Sequence, residues 1–369
     1  MEFIRVEDCC EILDSQRKPI TESERVPGRY PYYGANGIQG TINQYIFDDK
    51  LVLVAEDGGH FGSKTKPIAY LVNGKCWVNN HAHVLRAKKG FLAEYICYSL
   101  MFYKIEGYIN GATRQKLTQA ALRKLIIPKR PVKYQKAIVD RLDLVKCIIE
   151  KKQDLINELD VLIKSRFDEL FLNTHSIEIM KIDELFEVGS SKRILQSELT
   201  TYGIPFYRVT DLINRINDKP IDIKQYVDEL KYMTLVKEKY VPQAGDLLIT
   251  ARGTIGKIYE VKQNDKFYFQ DGMITWLKRK NNYINNSFFV ELVKTDWFRR
   301  QFYSSNNGTT ISYLSITDTR HLKVLLPALN LQLQFAQEVY QINKLKSDVQ
   351  KSIDETQLLM DSLMQEYFG

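Results

Sequence analysis

Several features that would place this chain in a secreted, membrane or zinc-binding class are missing from its sequence. The five cysteines are an odd number without CxxC spacing, which argues against a disulfide framework or a zinc ribbon. No apolar run approaches the ~20 residues that cross a bilayer, and the start of the chain has no apolar signal-peptide core. We therefore expect a cytoplasmic protein of ordinary globular composition, 44% hydrophobic and 26% charged.

No catalytic motif stands out along the chain. Gly58–Thr65 resembles a phosphate-binding loop, but Ser63 separates Gly62 from Lys64 and breaks the spacing. A glycine-rich fingerprint after a first strand, the Asn/Asp-Pro-Pro-aromatic motif of amino-methyltransferases and a Ser/His/Asp set are not found. We expect no catalytic residue and no cofactor in this chain.

Two weaker patterns point to other chemistry. His81 and His83 lie two residues apart and would share one face of a strand, but no cluster of carboxylates or cysteines completes a metal site, so hydrogen-bonding roles are favoured. Asp222, Glu229 and Lys231 loosely imitate a nuclease set, in a charged segment where chance matches arise. We expect no metal.

The chain does have an excess of basic residues and an internal repeat. Its net charge of +7 permits binding to a polyanion, and its 369 residues fit two domains. Five segments of the first half recur in order about 197 to 199 residues later. They pair Asn110–Thr113 with Asn307–Thr310, Leu117 with Leu314, Leu125–Pro128 with Val324–Pro327, Gln135 with Gln334, and Asp168–Phe171 with Gln365–Phe368.

A fainter likeness continues upstream of these segments. Leu51–Ala55 parallels Leu247–Ala251, each before a glycine-containing turn, and Pro31–Tyr33 parallels Pro205–Tyr207 at a shorter offset. The globular parts have therefore diverged, whereas the segments that follow them have kept their register.

The preserved segments are predicted to be two long helices, Val132 to about Phe171 and about Leu331 to Phe368, both without Gly or Pro. Their apolar residues alternate at spacings of four and three, as in a coiled-coil seam. The first seam is Ile138, Leu142, Val145, Ile149, Ile156, Leu159, Ile163 and Leu170, interrupted by Lys152 and Arg166. The second is Phe335, Val339, Ile342, Val349, Ile353, Met360 and Leu363, interrupted by Lys346 and Thr356.

Each apolar seam needs a partner. We expect the two helices to pair with each other, antiparallel and within one chain; packing of each seam on its own domain and a homodimer seam are the alternatives. A second apolar line of Leu144, Ile148, Leu155 and Leu162 predicts a further protein neighbour on the outer side.

The predicted fold class is α+β, with two β-rich, mixed α/β domains, an antiparallel pair of long coiled-coil helices and a pseudo-two-fold internal repeat. The predicted segments are a first globular domain at 1–130, a first long helix at 131–173, a second globular domain at 174–328 and a second long helix at 329–369. Within the domains we predict a turn at Asn73-Gly74 and helices at Phe91–Tyr103 and Ser287–Phe302.

Loops rich in glycine, amide, histidine and basic side chains recur in both halves. Such side chains hydrogen bond to base edges, and glycine brings backbone N–H groups close to phosphates. For any single loop, the turn chemistry of Asn-Gly is at least as good an explanation, so the recurrence is what favours double-stranded DNA. The candidate DNA-binding residues are Tyr33, Asn36, Gly37, Lys64, Asn79, Asn80, His81, Asn110, Thr113, Arg114, Lys116, Arg208, Arg252, Thr254, Gln270, Asp271, Asn306, Asn307 and Thr309.

Four motifs carry a resemblance to a known family. They are Tyr32–Ile38, Trp77–Leu85, Ile204–Leu212 and Gly245–Gly253. With the aliphatic residues before Pro128 and Pro327 they make essentially the whole chain similar to the specificity (S) subunit of Type I restriction–modification systems. The first half has Asp49–Val52 in place of the Gly-Asp-Leu-Leu form, which leaves open whether the two halves share one domain class.

The resemblance implies a function. Each globular domain would be a target recognition domain for one half of a bipartite DNA site, and the helices would fix the spacing. Two DNA methyltransferase (M) subunits would dock on the long helices and restriction (R) subunits would join them, so adenine methylation and S-adenosylmethionine would belong to the partners. The alternatives are a methyltransferase or nuclease with unrecognised motifs, and a coiled-coil scaffold without DNA contact.

Overall fold

The computed structural model describes residues 2–63, 65–111, 115–173, 177–304 and 313–369. The chain forms two compact units: unit 1 is Met1–Asp154 with Gln350–Gly369, and unit 2 is Leu155–Val349. Each unit therefore combines a globular part with a portion of both long helices. The four predicted segments separate the globular parts from the helices, whereas each unit contains both. The boundaries of the four segments stay a prediction.

Unit 1 consists mainly of β-strands. The strands are β1 Phe3–Arg5, β2 Cys10–Ile12, β3 Tyr30–Gly34, β4 Gly37–Ile42, β5 Phe47–Ala55, β6 Ala69–Val78, β7 Ala82–Ala87, β8 Ile109–Asn110, β9 Lys116–Leu117 and β10 Ile126–Pro128. The helices are α1 Val6–Cys9, α2 Ala93–Met101, α3 Gln119–Lys124 and the first part of α4 Val132–Phe167, with 3-10 turns at Asp14–Gln16 and Glu22–Glu24.

A six-stranded sheet in the order β2-β7-β5-β6-β3-β4 organises unit 1. Its strands pair antiparallel except β3 and β6, which run parallel. The apolar run Leu51–Ala55 on β5 is fully buried. Val52 and Val54 pack in the cluster that includes α2, whereas Leu51 and Leu53 pack on the opposite face. The continuous run thus reflects a strand that is covered on both faces.

Unit 2 has shorter strands and more helices. The strands are β11 Glu178–Lys181, β12 Phe186–Gly189, β13 Leu199–Thr200, β14 Ile204–Tyr207, β15 Tyr226–Val227, β16 Leu247–Thr250, β17 Ile258–Glu260, β18 Tyr268–Phe269, β19 Ile274–Arg279 and β20 Lys323–Leu326. The helices are α5 Ile182–Leu185, α6 Val209–Ile216, α7 Glu229–Lys237, α8 Asn286–Lys294, α9 Asp296–Ser304, α10 Ile316–His321 and the first part of α11 Leu329–Phe368. A π-helical segment, Asp168–Leu172, extends α4, and a 3-10 turn spans Gln196–Glu198.

Two four-stranded sheets, β12-β19-β16-β17 and β13-β15-β14-β18, and the two-stranded sheet β11-β20 lie in unit 2. Four buried phenylalanines join α4, α8 and α11 in its core. Phe167 lies 5.5 Å from both Phe288 and Phe335, and Phe171 lies 4.9 Å from Phe288, measured between ring centroids. The long helices are thus part of the core of this unit as well as partners of each other.

The predicted internal repeat is visible in the backbone of the two units. β1 pairs antiparallel with β10, and β11 pairs antiparallel with β20. A four-residue helix follows β1 and β11, and its first N–H bonds to a distant carbonyl: Val6 to Leu125 at 2.8 Å and Ile182 to Leu322 at 2.9 Å. The parallel pair β3/β6 of unit 1 corresponds to the parallel pair β14/β18 of unit 2.

A buried glutamine attaches the start of α4 to the globular part of unit 1. The Gln135 side chain accepts a hydrogen bond from the Leu92 N–H at 2.9 Å. It donates to the carbonyls of Gly90 at 3.0 Å and Arg130 at 2.8 Å. These bonds satisfy the N–H just before α2, a group that the helix itself leaves unpaired.

Gln332 makes the same three bonds in unit 2. It accepts from the Asn285 N–H at 2.8 Å and donates to the carbonyls of Tyr283 at 2.9 Å and Pro327 at 2.8 Å. The sequence comparison paired Gln135 with Gln334, and that pairing is wrong. Gln334 is exposed, whereas Gln332 is fully buried like Gln135.

In unit 1 the two long helices pack antiparallel. Lys152 Nζ donates to the hydroxyls of Ser352 and Thr356 at 2.8 Å each, and Arg141 donates to the Tyr367 hydroxyl at 3.0 Å. Residue numbers therefore fall along α11 as they rise along α4. Lys152 and Thr356, which interrupt the two predicted seams, are hydrogen-bonded to each other.

The helix portions in unit 2 are antiparallel too. Arg166 Nε lies 2.9 Å from Glu338 Oε2, and Lys346 forms an ion pair with Asp160. The remaining charged interruptions of the seams thus pair with acids of the opposite helix. The expected antiparallel pair is confirmed, and packing on the globular part occurs beside it.

The predicted turn at Asn73-Gly74 is wrong. β6 continues through both residues, and its antiparallel ladder with β5 pairs Asn73 with Lys50 and Gly74 with Asp49. Gly74 adopts a φ of +84° inside the strand, a conformation that glycine tolerates. The long partner strand therefore overrides the local turn preference.

The predicted helix Ser287–Phe302 is two helices, α8 and α9. The helix is interrupted at Thr295, whose backbone is extended with φ −68° and ψ 150°. Its buried hydroxyl accepts a hydrogen bond from the Phe298 N–H at 3.2 Å, as an N-cap side chain does.

All five cysteines are free thiols, four of them buried. Among the helices of the described residues, none has both the length and the apolar composition for a bilayer span.

Candidate nucleic-acid interface

In unit 1, three segments that contain candidate DNA-binding residues meet the loop after β5 at one end of the sheet. Asn36, in the turn between β3 and β4, donates to the Gly58 carbonyl at 3.0 Å. His81 Nδ1, in the turn after β6, lies 2.5 Å from Asp57 Oδ1. Asp57 in turn forms a β-bridge with Lys116. The loops around residues 36, 57, 80 and 116 therefore form one surface.

Exposed polar side chains line this surface. Asn36, Asn80, Asn110 and Lys116 are exposed, and His81 is half-buried. Gly37 begins β4 with a φ of +105° and open space around its Cα. Amide, imidazole and ammonium groups at the surface suit hydrogen bonding to bases and phosphates.

Two predicted site residues play a structural part here. Asn79 is buried, and its Nδ2 donates to Gln39 Oε1 at 2.9 Å while its Oδ1 accepts from the His81 N–H at 2.8 Å. Its own N–H donates to the Tyr33 carbonyl at 3.0 Å. The Tyr33 ring is half-buried, 5.9 Å from that of Tyr70. These contacts shape the turn that carries Asn80 and His81.

Glu56 links three of these segments. Its N–H donates to the His81 carbonyl at 2.9 Å, and its carbonyl accepts from the Leu117 N–H at 2.7 Å. Its side-chain Oε2 lies 2.6 Å from Arg17 Nη1, and its Oε1 lies 2.9 Å from Lys116 Nζ. One residue thus uses both its backbone and its carboxylate to join the loops.

A buried histidine extends this cluster of charges. His83 is fully buried, with Nδ1 2.6 Å from Asp14 Oδ2 and Nε2 2.8 Å from the Leu117 carbonyl. A carbonyl oxygen only accepts, so Nε2 is the donor. We call Asp14, Arg17, Glu56, His83 and Lys116 the charged network.

The carboxylates of the charged network are stabilised in ionised form. Burial alone would raise the pKa of Asp14, but its hydrogen bond with His83 and the charge of that ring lower the pKa overall. At Glu56 burial likewise acts to raise the pKa, and hydrogen bonds from Arg17 and Lys116 outweigh it and lower the pKa. Both carboxyl groups are therefore ionised at neutral pH.

The same group has the composition of a metal site. Ligand atoms of Asp14, Glu56 and His83 lie within 4.8 Å of one another. Arg17 fills the space beside them, 3.5 Å from Asp14 Oδ2 and 2.6 Å from Glu56 Oε2. The guanidinium supplies the positive charge that two buried carboxylates require. His81 faces Asp57 instead, so the two histidines do not converge.

The nuclease-like set is not assembled. Its three members form separate ion pairs, Asp222 with Lys224, Glu229 with Lys266 and Lys231 with Glu198. These three side chains therefore belong to separate ion pairs and do not form one site.

Unit 2 collects its candidate loops through matching backbone contacts. The Gln270 N–H donates to the Tyr207 carbonyl at 2.9 Å, as Asn79 does to Tyr33 in unit 1. In both units this bond closes the end of the parallel strand pair. Gln270 is thereby the counterpart of Asn79.

Ala251 takes the position that Glu56 has in unit 1. Its N–H donates to the Met273 carbonyl at 2.9 Å, and its carbonyl accepts from the Leu314 N–H at 2.8 Å. The sequence comparison aligned Ala251 with Ala55, and the hydrogen bonds shift this register by one residue. The backbone link is thus repeated, but the carboxylate is not.

Arg252 and Thr254 follow this link and are exposed. Arg252 forms a β-bridge with Tyr313, the counterpart of the bridge between Asp57 and Lys116. The Thr254 carbonyl accepts from the buried Thr250 hydroxyl at 2.5 Å, which holds the tight turn between β16 and β17.

The remaining described candidates of unit 2 lie near β14 and β18. Arg208 is exposed, and its N–H donates to Asp211 Oδ2 at 2.9 Å at the start of α6. The preceding Tyr207 stacks on Phe267, with ring centroids 4.7 Å apart. Asp271 is half-buried next to Gln270. Arg208 and Gln270 thus flank a rigid aromatic stack.

Six predicted site residues lie outside the described residues. They are Lys64, Thr113, Arg114, Asn306, Asn307 and Thr309.

Sequence reasoning missed Arg17, Glu56 and Asp57. Arg17 lies 39 residues before Glu56, and none of the three residues belongs to a motif. Residue spacing therefore gave no signal for them. The repeat gave no signal either, because the sequence comparison aligned Ala251 with Ala55, and only the backbone hydrogen bonds pair Ala251 with Glu56.

The outer faces of the long helices carry exposed apolar residues. On the α4 and α11 portions of unit 1 these are Leu144, Ile148, Leu358 and Leu359. On the portions in unit 2 they are Leu155, Val161, Leu162, Leu333, Tyr340 and Leu345. The predicted second apolar line is thus unburied in the chain alone, as a surface for a protein neighbour would be.

Comparison with known proteins identifies relatives over both halves. Residues 1–161 and 175–355 match the family model of the Type I restriction modification DNA specificity domain. A protein named as a type I restriction enzyme specificity subunit of Haemophilus influenzae is 29% identical over 344 residues, 90% of this chain and 85% of that protein. The MjaVIII specificity subunit of Methanocaldococcus jannaschii is 19% identical over 376 residues, 93% and 86% of the two chains.

Solved structures share the fold. The Type-I restriction-modification system S subunit from M. genitalium aligns over 100% of this chain and 96% of its own, with a TM-score of 0.58 and 17% identity. A chain from a study of complex assembly and conformational transition of the type I R-M system aligns over 100% and 97%, with a TM-score of 0.60 and 14% identity.

Proposed function

The chain belongs to the Type I restriction modification DNA specificity family, and we propose that each of its two units reads one half of a two-part DNA target. In this proposal the chain directs methyltransferase and restriction subunits to that target and carries no catalysis of its own. Adenine methylation, with S-adenosylmethionine, takes place on the methyltransferase subunits.

One observation carries the proposal of two readers. The loops after β5 and β6 in unit 1, and after β16 and β18 in unit 2, are joined by the same backbone hydrogen bonds. The exposed side chains on those loops differ, with Asn80 and Lys116 in one unit and Arg252 and Thr254 in the other. A common backbone with different hydrogen-bonding groups is what two readers of different base sequences require.

The exposed and half-buried candidates on these loops are the proposed DNA contacts. In unit 1 these are Asn36, Asn80, His81, Asn110 and Lys116, and in unit 2 they are Arg208, Arg252, Thr254, Gln270 and Asp271. Tyr33, Gly37 and Asn79 would act by shaping the loops. Lys64, Thr113, Arg114, Asn306, Asn307 and Thr309 remain proposed contacts on the strength of their residue types.

The long helices are the proposed docking surface for two methyltransferase subunits and the proposed determinant of half-site spacing. Their exposed leucines, among them Leu144, Leu162 and Leu358, form an apolar surface. A helix face that contacts only water has no use for such a surface, whereas a partner protein would bury it. Restriction subunits would join the resulting complex. These assemblies form in the cytoplasm, where the DNA is.

The test is co-expression of the full chain with its methyltransferase subunit, followed by genome-wide mapping of methylated adenines. The expected result is one split motif, with two defined half-sequences separated by a spacer of fixed length. Methylation at an undivided motif, or without any motif, would contradict the proposal.

The chain alone provides the control. Purified without partners, it should bind DNA weakly and in a salt-sensitive manner because phosphate contacts dominate such binding, and it should transfer no methyl group. Methylation or cleavage by the chain alone would establish an enzyme instead. Absence of a DNA footprint in the complex would favour the scaffold alternative.

A further inference from the structure

Glu56 connects loops that unit 1 would present to DNA. Its backbone bonds to His81 and Leu117, and its carboxylate bonds to Arg17 at 2.6 Å. Arg17 extends the connection, because its Nη1 also donates to the Ala82 carbonyl at 2.8 Å. The turn after β6 and the strand β9 are thereby tied to one carboxylate.

The exposure of these side chains separates positioning from contact. The side chains of Glu56 and Arg17 are each 12% exposed, whereas that of Lys116 is 48% exposed. A carboxylate with no balancing cation would repel the phosphates of a nearby DNA backbone. At Glu56 the charge is instead balanced by Arg17 and Lys116 inside the protein.

Unit 2 has no such carboxylate at the matching position. Ala251 makes the two backbone bonds and offers only a methyl group. The exposed Arg252 follows it, where unit 1 has Asp57 in contact with His81. Any role of the Glu56 carboxylate is therefore confined to unit 1.

We propose that Glu56 is a positioning residue for sequence reading by unit 1. It orders the segments 57–61, 79–82 and 115–117 through Arg17 and Lys116, and it does not touch DNA. This inference rests on the proposed function, and it predicts that the carboxylate matters for one half-site only.

Hydrogen exchange on the full chain tests the ordering without DNA. Glu56→Gln keeps the size of the side chain but turns an amide NH₂ toward one of its two cations. We expect amide exchange in the three segments to rise about tenfold, as expected of a local opening that has lost its main stabilising contact. Unchanged exchange would overturn the proposal.

The matched control is Glu94→Gln. Glu94 pairs with Lys50 at 2.6 Å in the same unit, outside the candidate loops. The Glu94→Gln variant should leave amide exchange in the three segments unchanged. An equal increase in both variants would show general loosening of unit 1 and would also overturn the proposal.

DNA binding by the complex with the methyltransferase subunit tests the functional part. The probes are the mapped target and two duplexes, each with one half scrambled. Glu56→Gln should weaken selective binding about tenfold through one half only, while binding to fully scrambled DNA stays equal or becomes tighter because a negative charge is lost.

The outcomes separate the possible failures. A change in which base is preferred would make Glu56 a direct reader, and unchanged selectivity with loosened loops would remove its role in reading; either result overturns the proposal. A wild-type complex without sequence preference would overturn the proposed function, and the exchange experiment distinguishes that case from failure of the charged network.

Discussion

In unit 1 the segment after β5 is fixed by a carboxylate between Arg17 and Lys116, whereas the matching segment of unit 2 has Ala251 and is held by backbone bonds and the Thr250 hydroxyl. The neighbouring parallel strands differ as well. Tyr207 of unit 2 stacks on Phe267 with ring centroids 4.7 Å apart, whereas its counterpart Tyr33 in unit 1 lies tilted, 5.9 Å from Tyr70. The duplication has therefore kept the backbone contacts and changed the side chains that stabilise the loops, which is how two copies of one fold acquire different surfaces.

The largest effect should come from shortening both long helices at matching positions. Deleting residues 150–156 and 350–356 removes Lys152 together with its partners Ser352 and Thr356. Seven helical residues rise about 10 Å, the rise of roughly three base pairs. We expect the mapped methylation motif to keep both half-sequences and to shorten its spacer by that amount. Altered half-sequences would refute the role of the helices in spacing.

The two buried glutamines should be equally important for stability. Gln135→Leu or Gln332→Leu leaves one partly buried N–H and two carbonyls without their partner, so each should lower the free energy of unfolding by about 3 kcal/mol in urea denaturation. Gln334→Leu, at an exposed position, should change it by less than about 0.5 kcal/mol. A large loss for only one of the two buried sites would show that the units do not share this framework.

The contributions of Glu56 in unit 1 and Asp246 in unit 2 to stability should depend on pH in opposite directions. The pKa of Glu56 is lowered in the folded protein, so its contribution is full above its unfolded pKa and is lost as pH falls through the folded pKa. Burial raises the pKa of Asp246 in unit 2 despite hydrogen bonds from the Gln243 N–H and Trp276, so its contribution is lost as pH rises through that pKa.

Urea unfolding between pH 3 and 7 measures this contrast. The stability advantage of the wild type over Glu56→Gln should grow with rising pH, and the advantage over Asp246→Asn should shrink. Parallel slopes for the two variants would contradict the assigned directions of the pKa shifts.

Much of this architecture was predictable because it depends on local pattern. The seams of the long helices follow from spacing alone. Their pairing with each other was the favoured expectation among three, and the structure shows that Lys152 and Thr356, which interrupt the two seams, meet. The charged network was not predictable, because Arg17 and Glu56 are brought together only by the sheet. The prediction of a turn at Asn73-Gly74 was wrong because the long β5–β6 ladder outweighs the turn preference of two residues.

The smallest effect concerns salt dependence and contrasts Lys116, which is paired with Glu56, with Arg252, for which the described residues show no ion pair. Lys116 shares its charge with Glu56, whereas Arg252 is exposed next to Ala251. Arg252→Gln should reduce the slope of log binding constant against log salt by about 0.9, as for one phosphate contact. Lys116→Gln should reduce it by less. Equal reductions would show that Glu56 does not compete with DNA for Lys116.

The claim that the two units read separate half-sites is tested most directly by measuring which bases each variant stops discriminating. The complex with the methyltransferase subunit is titrated with duplexes that carry every single base change across the mapped motif, using Glu56→Gln for unit 1 and Arg208→Gln, at an exposed proposed contact, for unit 2. The account predicts that the two variants lose discrimination in different halves of the motif. Loss at the same bases in both variants would contradict it.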